Sequence, residues 1–84
     1  MMAPRINPVT WAVLDVYAGT PEGQAVPGLR EHLKRAAPRG RLKQTARVTA
    51  EGLGALDEAG HLTPAGERSA RHAVERLGLA GEQA

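Results

Sequence analysis

The ten residues from Val9 to Ala18 constrain this chain more than any other segment, because they are apolar almost all round: Val9, Trp11, Ala12, Val13, Leu14, Val16, Tyr17 and Ala18. Val9, Ala12, Val13, Val16 and Tyr17 recur at helical spacing. The β-branched content would also suit a strand. Helix is preferred, because Asn7 or Thr10 can cap its start and Gly19 can end it. A helix without a polar face has to be wrapped by others. The segment is therefore expected as a central helix, with Trp11 as its anchor and the indole N–H finding a partner at the edge. The single Trp and single Tyr both lie here, the chain has no Phe, and 15 of its 84 residues are alanines. The core is thin, and a second copy or a partner would add the buried surface that it lacks.

Proline and glycine divide the rest of the chain. Thr20-Pro21-Glu22-Gly23 can open a single helical turn, with Thr20 as N-cap and Pro21 at the first helical position. A second helix is expected from Pro27 to about Ala37. Its apolar stripe is Val26, Leu29, Leu33 and Ala36 or Ala37, and Pro38 stops it. Pro38 to Arg47 carries one large apolar side chain, Leu42, and reads as a loop or in part as the lead-in turn of the next helix. Thr49 is a candidate N-cap for a third helix through about Ala59, with Leu53 and Leu56 facing inward and Val48 as a staple. On that helix Asp57 and Glu58 diverge and form no acid/base pair. Gly60 is placed to end it.

Thr63 and Pro64 open a last helix with Ala70, Ala73, Val74 and Leu77 on one face and an Arg71–Glu75 pair outside it. Thr-x-x-Gly recurs at Thr20, Thr49 and Thr63, which reads as a helix-start idiom rather than a repeat. The expectation is a mostly α, small three- to four-helix domain over residues 9–79. Residues 1–8 form an irregular lead-in and residues 80–84 a tail.

Several classes of function are excluded or disfavoured. With no Cys, thiol catalysis, thiolate zinc sites and disulfide scaffolds are ruled out. No apolar run approaches the ~20 residues of a membrane helix. Arg5, Asn7 and Pro8 interrupt any apolar signal stretch, so a cytoplasmic protein without membrane contact is expected. The one Ser, Ser69, lacks an elbow motif. His32, His61 and His72 have no metal-ligand spacing, and Gly52-Leu53-Gly54 lacks the rest of a phosphate-loop fingerprint. No enzyme activity, cofactor or metal is expected.

The charge is uneven. The formal net charge is +2, yet residues 28–48 hold Arg30, Lys34, Arg35, Arg39, Arg41, Lys43 and Arg47 against Glu31 alone. Such a block is an electrostatic footprint for phosphates or for an acidic partner. It has no interleaved aromatics, which argues against single-strand binding by base stacking. Arg39, Arg41, Lys43 and Arg47 are the candidate phosphate contacts on double-stranded DNA. Gln44 and Thr45 are suited to a base edge. Arg30, Lys34 and Arg35 form a secondary basic face. The alternative is a small inhibitor, accessory or assembly protein whose basic patch docks on an acidic protein. A homodimer through the first or last helix would relieve the thin core.

Val48 to Ala70 resembles winged helix-turn-helix transcription regulators of the MarR and PadR type. Leu53, Leu56 and Gly60-His61-Leu62 follow the end of a recognition helix in that family, and Leu62-Thr63-Pro64-Ala65-Gly66 follows its later L-T-x-x-G helix start. The resemblance implies a winged-helix-like fold with at most a minimal β element, and a role in transcription regulation. Three departures stand out. The family's β-hairpin wing is missing or cut to a single turn, because Gly60-His61-Leu62 runs straight into Thr63. The basic stretch Pro38–Arg47 replaces a tight turn. The expected recognition helix, Ala50–Ala59, carries Glu51, Asp57 and Glu58 and no cation, so the basic segment would do most of the binding.

Overall fold

In a computed structural model, which describes residues 6–79, the central helix α1 spans Pro8–Tyr17. Asn7 caps it, its side-chain oxygen accepting from the Val9 N–H at 2.8 Å. Trp11, Ala12, Val13, Leu14 and Tyr17 are all buried. α2 is the single turn Pro21–Gln24, α3 is Leu29–Ala36, α4 is Leu42–Gly52 and α5 is Pro64–Arg76. α1 packs against α3, α4 and α5, as a helix without a polar face must. The described residues are mostly helical; their β structure is one isolated antiparallel bridge, Leu56 to Leu62. No helix among them is long and apolar enough to cross a membrane. The expected lead-in falls partly, and the expected tail wholly, outside the described residues. Within them the first helix starts at Pro8, and Ile6 already packs on the core.

Among the described residues the helices number five, one of them a single turn, against an expected three to four. The main correction lies between residues 38 and 60. The helix expected from Thr49 to Ala59 is not there. Most of the basic stretch expected as a loop or lead-in is instead the first half of α4, and Thr49 lies in that helix's last turn. Ala46 and Ala50, one turn apart, are the buried face of α4. With two methyl groups in place of two leucines on its buried face, α4 packs against α1 through small side chains. Gly52 ends the helix and Gly54 follows in the left-handed region at φ 82°. Val48 and Leu53, expected as a staple and a core residue, are 62% and 72% exposed. Leu56 is buried as expected, but from the bridge and not from a helix.

Asp57, expected within the third helix, organises the turn between the bridge residues. Its Oδ1 accepts from the Ala59 and His61 N–H groups, each at 2.9 Å, and its own N–H donates to the His61 carbonyl at 2.8 Å. Gly60 supplies the positive φ that closes the turn.

Two of the three Thr-x-x-Gly segments share one construction. Thr20 Oγ1 accepts from the Gly23 N–H at 3.0 Å and donates to the Tyr17 carbonyl at 2.6 Å. Thr63 Oγ1 accepts from the Gly66 N–H at 3.0 Å and donates to the Gly54 carbonyl. In both, the threonine staples the new helix to the chain before it, and the glycine lets backbone meet backbone. A Cβ at Gly23 would lie 1.9 Å from the Tyr17 carbonyl oxygen, and one at Gly66 would lie 2.0 Å from that of Ala55. The third segment is different, because a Cβ at Gly52 meets nothing within 4 Å. On α5 the pairing also differs from expectation. Arg71 reaches Glu67 at 3.1 Å and Glu22 of α2 at 3.5 Å, in place of Glu75.

Gly66→Ala should therefore destabilise the fold by about 1–3 kcal/mol through overpacking against rigid backbone. Gly52→Ala, where space is open and φ is ordinary, should stabilise it by about 0.4–1 kcal/mol. Thermal unfolding followed by circular dichroism measures both. Equal effects of the two substitutions would refute the close-approach reading of Gly66.

Candidate functional site

The cations of α3 and α4 meet across a groove of about 750 Å³ whose floor is α1. From α3 come Arg30 and Lys34, and from α4 come Lys43, Gln44 and Arg47. Trp11, Leu33 and Ala37 line its depth, and Asp15 of α1 is the one carboxylate in the lining. Residues on α4 advance by 100° each. Lys43 and Arg47, one turn apart, fall on the flank of the buried Ala46–Ala50 face that turns toward α3. Gln44 falls beyond them, toward solvent. Thr45 falls on the opposite flank, exposed and outside the groove.

Of the residues expected as direct contacts, the groove thus unites Lys43, Gln44 and Arg47. Arg39 and Arg41 are exposed just before α4, outside the lining. Of the secondary face it takes Arg30 and Lys34, while Arg35 is exposed outside it. The structure therefore brings three residues of the first set and two of the second onto a single concave surface. Trp11 and Asp15, not expected there, complete it. For Asp15 the available signal was its polarity inside an otherwise apolar helix.

Trp11 fixes the spacing of the groove walls. Its indole Nε1–H donates to the Leu33 carbonyl at 2.8 Å, a buried bond joining α1 to α3. Leu33 is among the last four residues of α3, whose carbonyls have no partner within the helix. Pro38 stops the helix and leaves that carbonyl open, and the indole satisfies it. Lys43 Nζ lies 5.4 Å from the centroid of the Trp11 ring, within cation–π range. One side chain therefore touches both walls. Its indole bond bears out the expectation of a partner at the helix edge.

The start of α4 also distinguishes the site. α1, α2 and α5 each have a side-chain oxygen bonded to a first-turn N–H; α3 and α4 have none, and of these two only α4 also lacks an acidic residue in its first turn. Arg41 and Lys43 stand at that end instead, where the helix dipole disfavours cations. An approaching anion reverses that penalty, since free N–H groups and cations then act together.

No group of three or more possible metal ligands occurs among the described residues. His61 and His72 are exposed and His32 is half-buried, each apart from the others.

Trp11→Phe keeps an aromatic ring but orphans the buried Leu33 carbonyl. It should cost about 1–3 kcal/mol, read as a lower unfolding midpoint in urea with an unchanged slope. A variant as stable as the parent would show that the indole bond does not hold α3 in place. Comparison with known proteins finds no matching family model, no matching curated protein and no matching solved structure.

Proposed function

We propose that this chain is a small, winged-helix-like, cytoplasmic DNA-binding domain of the transcription-regulator type. In this reading it binds double-stranded DNA by laying α4 and one face of α3 against the duplex. One observation carries it: the groove joins Arg30, Lys34, Lys43 and Arg47, from two helices, into one concave basic surface, with Gln44 at its solvent edge. Arg39 and Arg41 extend that surface past the uncapped start of α4. The phosphates supply affinity here, and Gln44 and the neighbouring exposed Val48 supply groups able to contact an adenine edge and a thymine methyl.

The position of α4 also changes how the family resemblance applies. The helix that precedes the Leu56–Leu62 bridge is basic over its first half, not acidic. Phosphates are attracted to it where they would be repelled by Glu51, Asp57 and Glu58 on the helix first expected. The five residues between Leu56 and Leu62 stand where the family has its wing. They carry Asp57 and Glu58 and neither Lys nor Arg, so phosphate binding falls to α3 and α4.

A second reading keeps the same surface but makes the partner an acidic protein. The observation favouring it is that Leu42, Val48 and Leu53, all at or near α4, are more than half exposed, and apolar residues beside cations suit a protein interface. A patch around Trp11 or Leu79 would have favoured it more, but Trp11 is buried and Leu79 half-buried.

A fluorescence-anisotropy titration against a random duplex separates the two. Six phosphate contacts give a log–log salt slope near −5, so affinity should fall about 10³-fold between about 50 and about 200 mM salt. Lys43→Gln and Arg41→Gln should each flatten the slope by about 0.9. Absence of binding at about 50 mM salt, or affinity independent of salt, would remove DNA and leave the acidic protein.

A further inference from the structure

The groove contains a charge of the wrong sign for its proposed ligand. Asp15 Oδ2 lies 3.9 Å from Arg47 Nη2. We propose that Asp15 is an internal counter-ion, which a phosphate of the bound polyanion must displace from Arg47. It holds the groove's affinity below what its cations alone would give. The inference rests on the reading of the groove as a phosphate-binding surface.

Three observations support it. First, Asp15 stands out on α1. Trp11, Ala12, Val13, Leu14, Tyr17 and Ala18 are buried and Val16 is half-buried, while Asp15 is exposed. Packing of α1 does not require an acid there, since any polar residue would meet solvent equally well. Second, α1 is enclosed by α3, α4 and α5, which holds the Asp15 backbone beside the groove. Arg47, on a long side chain that is 58% exposed, can move. Third, the separation is longer than the 2.7–2.9 Å of a charge-assisted hydrogen bond. Arg47 is held by proximity of charge, and a phosphate offering two oxygens to its guanidinium makes the better partner.

The exchange has a defined electrostatic signature. In the free protein Arg47 is neutralised internally, so binding exchanges its Asp15 contact for a phosphate contact and loses the energy of the first. The phosphate that pairs with Arg47 still gives up its counter-ions, so the salt slope keeps the value set by the phosphate contacts while affinity is lower. Removing the carboxylate should remove that loss. At separations of about 4–6 Å near a solvated surface, one unit charge alters affinity by roughly three- to tenfold at low salt.

The test is a double-substitution cycle, Asp15→Asn and Arg47→Gln singly and together, titrated against a random duplex and against heparin over about 50–200 mM salt. Circular dichroism checks the fold of each, and Asp15→Ala gives the same readout should Asp15→Asn fold poorly. Asp15→Asn should bind the duplex about three- to tenfold tighter at about 50 mM salt, with the salt slope within about 0.5 of the parent's. In the Arg47→Gln background the gain should shrink below about twofold. Binding no tighter than the parent overturns the counter-ion role and leaves the DNA reading standing, as does an equal gain in both backgrounds. The expected pattern with heparin but no duplex binding supports the counter-ion role and removes DNA as the ligand. Binding of neither polyanion overturns both.

Discussion

Close approach of backbones is the constraint on which this small fold depends. Six of the fourteen buried apolar residues of the described chain are alanines. An alanine buries little area by itself, so it contributes mainly by letting helices come near enough for larger side chains to touch. Ala46 and Ala50 do this between α4 and α1. Gly23 and Gly66 go further and remove the Cβ where a carbonyl oxygen stands under about 2 Å from its place. The threonines three residues earlier then use both hydrogen-bonding functions of one hydroxyl to fix the junction. Each such junction orients a whole helix for the cost of ordering one short side chain, which suits a chain with few large apolar residues.

This packing has a consequence for the surface. A helix seated on two alanines buries a narrow face and leaves most of its circumference in water. α4 therefore keeps Lys43, Gln44, Arg47 and Val48 exposed, which a helix seated on a broad leucine stripe could not do to the same degree. The Trp11 indole bond sets where α3 ends relative to α1, and hence where Arg30 and Lys34 face the cations of α4. The same tryptophan ring lies under the Lys43 ammonium. Core and candidate site thus share Trp11, and a change there alters stability and groove shape together.

What could be read in the sequence varied with the type of residue carrying the signal. α1, α2, α3 and α5 were legible because large apolar residues mark their inner faces or because Asn7, Thr20 and Thr63 cap them, with Pro8, Pro21 and Pro64 directly after. α4 was not. Its inner face is Ala46 and Ala50, which a reading weighted to large apolar residues passes over. Its start has no capping side chain, and the exposed Leu53 falls in register with Leu56 as if both belonged to one stripe. Thr49 resembles an N-cap, yet a threonine caps only where the chain before it is not already helical.

By itself, the sequence determined that the chain is a helical domain wrapped around Val9–Ala18, that Thr20 and Thr63 each open a helix and Asn7 or Thr10 caps the first, and that its positive charge is concentrated in one block. These follow from local rules: side-chain periodicity, caps and formal charge. Only the tertiary structure decided that the block is half helix, that it meets Arg30 and Lys34 across a groove, that Thr45 falls outside that groove, and that Asp15 faces Arg47. Those are relations between elements, set by how closely the alanines and glycines let backbones approach, and no local pattern encodes that distance.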